Sequence, residues 1–253
     1  EFFDKIPEIV KKLTGEIKSI STTSNITTSK PESSSVSTNA STSKTESSSV
    51  STNVSTPKTR STSSTSKTTT TYGKTYNIGD TGPGGGIIFY YSKAGFDVYE
   101  PDGSTKKCHY LEVSKFDLGK ISWCSQKARF DDCCNITTND NLGYGRINTF
   151  KIIKSSHKLG TITKENCAAL ACHSYSTATT KAGDWFLPSE FEQCLLYHNL
   201  GERVLLSNTT NDHYYWSSSM VNYSNAWSLS FSDGGPGLNY KDNTYSVRAV
   251  RAF

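Results

Sequence analysis

Between Phe3 and Tyr72 the chain has no aromatic residue, and this confines any sizeable core to the segment from Tyr72 onward. Only Phe2 and Phe3, of 29 aromatic side chains, stand before that gap, while all seven cysteines and all four tryptophans lie after it. Residues 21–71 are almost wholly Ser and Thr, with scattered Lys, Pro and Asn, and residues 29–42 recur as 43–56 with two substitutions. Such a segment buries too little apolar surface to offset the entropy of ordering it. It is expected to be a disordered, extended stalk, O-glycosylated where a host has that machinery. Sequons at Asn25, Asn39, Asn53, Asn135, Asn208 and Asn222 are weak matches in a chain this rich in Ser and Thr.

Upstream of the stalk, Phe3, Ile6, Val10, Leu13, Ile17 and Ile20 follow the 3-4 spacing of a heptad seam. Fewer than three heptads is marginal for an isolated coiled coil, so a short coiled coil and an amphipathic stub are equally good readings. Pro7 falls in the first turn, where a helix tolerates it. Three parts are therefore expected: a helical segment over 1–20, a stalk over 21–71, and one domain over 72–253. Glu1-Phe2-Phe3-Asp4 has no basic or apolar leader character, as expected of a processed form or a fragment.

The first 71 residues hold 9 of the 27 Lys and Arg and 6 of the 23 Asp and Glu, leaving 18 and 17 for the domain. That near-neutral balance excludes a nucleic-acid platform, which needs a concentrated basic face to displace counterions. No run of about 18 apolar residues predicts a membrane span.

Cys108, Cys124, Cys133, Cys134, Cys167, Cys172 and Cys194 are all in the domain. Several disulfides would fit an exported protein, with the odd thiol free or paired between chains, and buried thiols are the other reading. Pairing does not follow from the spacing. Cys194 and His198 sit four apart and Cys172-His173 is near, yet no CxxC or HxxxH spacing supports a metal.

The domain opens with Gly79-Asp80-Thr81-Gly82-Pro83-Gly84-Gly85-Gly86 ahead of Ile87-Ile88-Phe89-Tyr90-Tyr91. The glycines precede the strand and no Lys-Ser/Thr follows, so this is a turn feeding a buried strand and not a phosphate loop. Thr163 can cap a helix over 164–173, packing through Cys167, Leu170 and Ala171. Ser189 and Glu192 form a capping box for a second helix, with Gly201 as its stop. Beyond Glu202 the pattern reads as strands and loops. Two helices beside an antiparallel sheet predict an α+β fold.

The last forty residues alternate apolar and polar positions. Trp227, Leu229 and Phe231 stand against Ser228, Ser230 and Ser232, the period of a half-buried strand with the aromatics inward and the serines outward. Trp185, Phe186 and Trp216 are further core candidates. Arg248 and Arg251, three apart, point to opposite faces of a strand, with Asp184 or Glu190 as internal partners for one of them. Tyr, Ser, Asn and Gly mixed with rigid aromatics suit a binding surface, and no nucleophile–base set lies among them. The candidate contact residues are His213, Tyr214, Met220, Asn222, Tyr223, Asn225, Ser228, Ser230, Asp233, Asn239, Tyr240 and Asp242.

Four landmarks occur in order: Ile78-Gly79-Asp80-Thr81-Gly82-Pro83-Gly84-Gly85-Gly86-Ile87-Ile88-Phe89, Asp184-Trp185-Phe186-Leu187-Pro188-Ser189, Tyr215-Trp216-Ser217-Ser218-Ser219, and Val247-Arg248-Ala249-Val250-Arg251-Ala252-Phe253. Together they resemble a family of bacterial surface modules with a C-type-lectin-like fold. It includes the C-terminal domain of the Legionella collagen-like adhesin and relatives among spirochaete surface lipoproteins. At fold level it also resembles the variable proteins of diversity-generating retroelements. The resemblance covers about residues 76–253 and leaves 96–158 without a motif.

The resemblance implies a secreted or cell-surface adhesin or receptor-like module. Its partner would be a glycan, a sulfated polysaccharide or a surface protein, with a homo-oligomer expected if the N-terminal seam pairs. The Glu-Pro-Asn, Gln-Pro-Asp and Trp-Asn-Asp strings of calcium-dependent lectins are absent. Asp212, Asp233 and Asp242 could contribute oxygens but form no loop motif, so no cofactor is expected and calcium has no motif behind it. The alternatives are an enzyme of the formylglycine-generating type, which would work through a cysteine pair, and a structural surface or fimbrial subunit.

Overall fold

A computed structural model describes residues 74–124, 136–156, 162–205 and 213–253, the side chains of 202–205 apart. The heptad seam, the stalk, Cys133, Cys134 and Asp212 lie outside these residues. The glycine-rich turn does feed a strand, β1 (Ile87–Tyr99). It folds back on itself through Gly79 N–H donating to Ile88 O (2.8 Å) and Ile88 N–H to Asp80 O (2.9 Å). Gly86 is needed for close approach, because a Cβ there would stand 2.5 Å from the Val113 carbonyl oxygen.

β1 pairs antiparallel with β2 (Thr105–Val113), and β2 with β8 (Val250–Ala252), so the chain's last strand closes on its first hairpin. The second sheet runs in the order β3 (Lys120–Ser122), β7 (Thr244–Ser246), β4 (Tyr214–Met220), β5 (Asn225–Ser230), β6 (Pro236–Tyr240). Its pairs are antiparallel except β4 with β7. The helices are α1 (Gly145–Ser156), α2 (Ala168–Ser174) and α3 (Glu190–Leu205). The described residues are therefore α+β, with three helices where two were expected in the domain.

α1 was hidden because its buried positions are polar: Gly145, Asn148, Thr149, Ile152, Ser155 and Ser156 keep helical spacing with one large apolar residue among them. Hydrogen bonds make that burial tolerable. Asn148 Nδ2 donates to Asn139 O (2.7 Å), and Leu187 N–H donates to Thr149 Oγ1 (2.9 Å). α2 is shorter than predicted and starts after Cys167, which makes no side-chain cap. Thr163 instead opens a turn that Asn166 closes, its side chain accepting from Thr163 N–H at 2.7 Å. In α3 the capping box is present, with Ser189 N–H donating to Glu192 Oε2 (2.8 Å) and Glu192 N–H to Ser189 Oγ (3.3 Å). Gly201 (φ 36°, ψ −127°) breaks the helical geometry, but helix continues to Leu205.

Trp123, Trp185 and Trp216 form the centre of a core with Ile152, Ala168, Ala169 and Val247. Each indole N–H has a partner, Ser217 O, Thr180 Oγ1 and Ile121 O respectively, at 2.8–2.9 Å, which is what allows these rings to be fully buried. The internal arginine partners differ from those expected. Arg248 pairs with Asp117, and Arg251 with Glu112 (2.5 Å), not with Asp184 or Glu190. Glu112 also accepts from Gly84 and Gly86 N–H (3.0–3.2 Å), so the glycine turn wraps a buried carboxylate. Among the described residues Cys108, Cys172 and Cys194 are buried free thiols, and Cys124 and Cys167 are buried as well, in keeping with the buried-thiol reading.

β5 needs a further correction. Leu229 and Phe231 are buried as expected, but Trp227 is only half-buried, whereas Ser228 and Ser230 are inside. The alternation sorts residues onto two faces, and both faces are covered near Ser228.

Candidate functional site

Opposed residues of an antiparallel pair share a face, so the β4–β5–β6 register sorts the expected contact residues. One face bears Tyr214, Trp216, Ser228, Ser230 and Asn239; the other bears Tyr215, Asn225, Trp227, Leu229, Leu238 and Tyr240. α3 covers the second face near Leu229, its Tyr197 ring standing edge-on to Phe231 with centroids 5.4 Å apart. On the first face a polar chain crosses three strands. Asn239 Nδ2 donates to Ser228 Oγ (2.7 Å), Tyr245 OH donates to Asn239 Oδ1 (3.0 Å), and Asn243 Nδ2 donates to Tyr245 OH (3.3 Å). Ser228 and Ser230 are 3% and 4% exposed, so they are structural parts of the sheet and not contact residues.

The remaining candidates fall at the two ends of β5, which six residues place about 17 Å apart. His213, Tyr214 and Asp233 sit at one end, and Met220, Asn222, Tyr223, Asn225, Asn239, Tyr240 and Asp242 gather at the other. The second end is the more firmly built. Asn222 Oδ1 accepts from Ser224 and Asn225 N–H, both at 2.9 Å, fixing the turn between β4 and β5. Lys241, fully buried, holds that turn from below: its N–H donates to Ser224 O (3.0 Å) and its Nζ to Tyr223 O (2.9 Å). The same ammonium lies 4.8 Å from the Trp123 ring centroid. Lys241 carries no sequence signal, being a lone cation between Tyr240 and Asp242, and its role follows only from the strand pairing.

Over this clamped backbone Tyr240 (46% exposed) and Leu238 (55%) project to solvent. Asn225 Oδ1 is buried beside them with no hydrogen-bond partner among the described residues. The arrangement offers an aromatic face, an aliphatic one and amide groups held in place, which is chemistry for recognition.

Asp233 and Asp242 stand at opposite ends of β5, and Asp233 Oδ1 already accepts from Gly235 N–H (3.0 Å). These two acids therefore do not converge as ligands for one ion. Cys172 and Cys194 are also unlike nucleophiles. Burial pushes Cys194 up to about 12, helped by the charge of Glu190, and burial followed by the neighbouring Cys167 raises Cys172. Such groups stay protonated and inert at neutral pH. A separate cleft of about 560 Å³ opens between β3 and α2, lined by Leu118, Lys120, Ile121, Lys164, Ala171 and Tyr175 among others. None of the twelve sequence candidates lines it.

No protein-family model matches the chain, and no curated protein does. Among solved structures, a fimbrial protein from Bacteroides ovatus is similar with a TM-score of 0.41 and 16% identity over 66% of this chain. The chain spans 44% of that structure's length. At that score the likeness carries no argument about function. Among the described residues no helix is long and apolar enough to cross a membrane.

Proposed function

We propose that residues 74–253 are a lectin-like binding head of a secreted or cell-surface protein, capturing a glycan or a protein without turnover. The observation behind this reading is the pairing of exposed Tyr240 and Leu238 with a turn that buried Lys241 immobilises. Rigid aromatic contact area costs little entropy on binding. Tyr240 stacks on the ligand, and Asn222, Asn225 and Asp242 supply polar contacts around it. The test is an array of sulfated and neutral glycans and of surface proteins, probed with the full chain. Tyr240→Ala combined with Tyr223→Ala should abolish capture and leave thermal unfolding nearly unchanged. Capture equal to wild type by the double variant would place the binding surface elsewhere.

A structural surface subunit is the second reading, favoured by the position of β6 at the edge of the five-stranded sheet. An edge strand with an exposed Leu238 is a template for pairing with a strand of another copy. Sedimentation separates the two readings: Leu238→Lys dissociates an edge-paired assembly, whereas a monomeric binder sediments identically with either residue.

A further inference from the structure

The first turn of α3 gathers buried oxygens that the binding surface does not use. Glu190 N–H donates to Ser219 Oγ (3.0 Å), and Phe191 N–H donates to the Asp140 backbone oxygen (2.9 Å). The Ser219 hydroxyl is also close enough to the Asp140 carboxylate to favour its charged form, against the burial that raises it. Asp140, Glu190 and Ser219 therefore meet where the loop before α1, the start of α3 and the end of β4 come together.

Two side chains in this place are incomplete. Glu190 is 5% exposed, and its Oε1 has no hydrogen-bond partner among the described residues. Gln193 is 1% exposed, and neither its Oε1 nor its Nε2 has one. A helical side chain lies over the turn N-terminal to its own Cα. Gln193, three residues after Glu190, thus reaches back over the turn that bears the Glu190 carboxylate. Glu192 shows the contrast. On another side of the same turn, its two oxygens accept from Ser189 N–H (2.8 Å) and Gly143 N–H (2.9 Å).

Buried polar atoms in native proteins are nearly always satisfied, and buried carboxylates are paired or bound to a cation. Burial first, and then the neighbouring Asp140 carboxylate, disfavour the charged form of Glu190, and a cation held between the two acids would offset both effects. We infer that Asp140, Glu190, Gln193 and Ser219 form a binding site for one hard divalent cation of the calcium class. The set offers two carboxylates, an amide oxygen and a hydroxyl. Such oxygen donors suit calcium or magnesium, not the softer metals that take sulfur and nitrogen. No group of three or more His, Cys, Asp or Glu suited to a metal occurs among the described residues. With only two acidic ligands the site belongs in the weak range of about 10⁻⁴–10⁻³ M seen for extracellular modules. It is separate from Asp233 and Asp242 and needs no lectin string.

The test uses the full chain, freed of metal by dialysis against a chelator and titrated with calcium, magnesium and terbium by calorimetry and luminescence. One saturable site per chain is expected, with a rise in unfolding temperature on calcium addition. Glu190→Gln and Asp140→Asn should each weaken binding about tenfold or more, since affinity follows ligand charge. Asp80→Asn, at an exposed acid outside the site, should bind as wild type. Asp140→Asn, at a half-buried position, keeps the test valid if the Glu190 variant does not fold. No saturable binding and no thermal shift up to about 10 mM calcium, well above that weak range, would mean that water alone fills the place and would overturn the inference. Unchanged binding in both Asp140→Asn and Glu190→Gln would overturn it equally.

Discussion

Replacing Asp117 with Ala should be among the most damaging single changes available in the domain. Arg248 is 1% exposed and Asp117 12%, and the pair is in direct contact. Asp117 also accepts from Tyr215 OH (2.9 Å), and Arg248 Nη1 donates to Ser114 O (3.2 Å). Removing the carboxylate takes from the buried guanidinium the counter-charge that touches it. Breaking a buried pair in this way costs about 3–5 kcal/mol. The Tyr215 hydroxyl loses its acceptor as well, worth about 1 kcal/mol. In a domain of this size each kcal/mol moves the unfolding midpoint about 2–4 °C, so the two losses together predict a fall of about 8–24 °C. Equilibrium urea unfolding of the full chain, followed by tryptophan fluorescence, measures the free energy, since Trp123 and Trp216 lie in the core. Tyr215→Phe should cost only about 1 kcal/mol, because Asp117 keeps Arg248 paired. Asp117→Ala with Arg248→Met should recover much of the loss, because no unpaired charge then remains. A cost below about 1 kcal/mol for Asp117→Ala, or a double variant no better than that single one, would refute the argument from a desolvated charge.

Two further outcomes come from the glycine turn and from the capping box. Gly86→Ala should lower stability by about 1–3 kcal/mol in thermal unfolding, since the new methyl meets a backbone oxygen at 2.5 Å and the Trp185 ring at 2.9 Å; a neutral result would mean that β2 moves aside freely. Burial pushes Glu192 up to about 7 from its ordinary 4.5, against N–H donors from Ser189 and Gly143 that pull it down. The unfolded chain thus ionises first, and this one group should remove about 3 kcal/mol of stability as pH rises from 4.5 to 7. Glu192→Gln should flatten that slope in urea titrations, and an unchanged slope would assign it to other groups.

The features legible in the chain are those that rest on local backbone chemistry. The turn at residues 79–86 follows from glycine, and the start of α3 from the Ser189–Glu192 pair, whose partners are three residues apart. The features that escaped depend on residues far apart in sequence. The Arg248 partner is 131 positions away, and the Arg251 partner 139, so no spacing rule points to Asp117 or Glu112. α1 escaped because its buried face is Asn, Thr and Ser, with Asn148 bonded to Asn139 and Thr149 to Leu187, and hydropathy is silent about such a face.

β5 is the most instructive failure, because its period of two was read correctly and its burial was not. A strand pattern assigns residues to faces, but which face is covered depends on what packs there. Ser228 is buried because Asn239 donates to its hydroxyl across the sheet, whereas Trp227 pairs with exposed Leu238 near the edge. The same geometry decides where recognition is credible. The hydroxyls of Ser228 and Ser230 are hydrogen-bonded inside the sheet, and the proposed binding surface rests on Tyr240, Leu238 and the turn that Lys241 holds. Had the serines faced solvent, the polar chain from Ser228 to Asn243 would be free to rearrange around a ligand. Instead it stiffens the strand that presents Tyr240, so the order of the surface is set by bonds made beneath it.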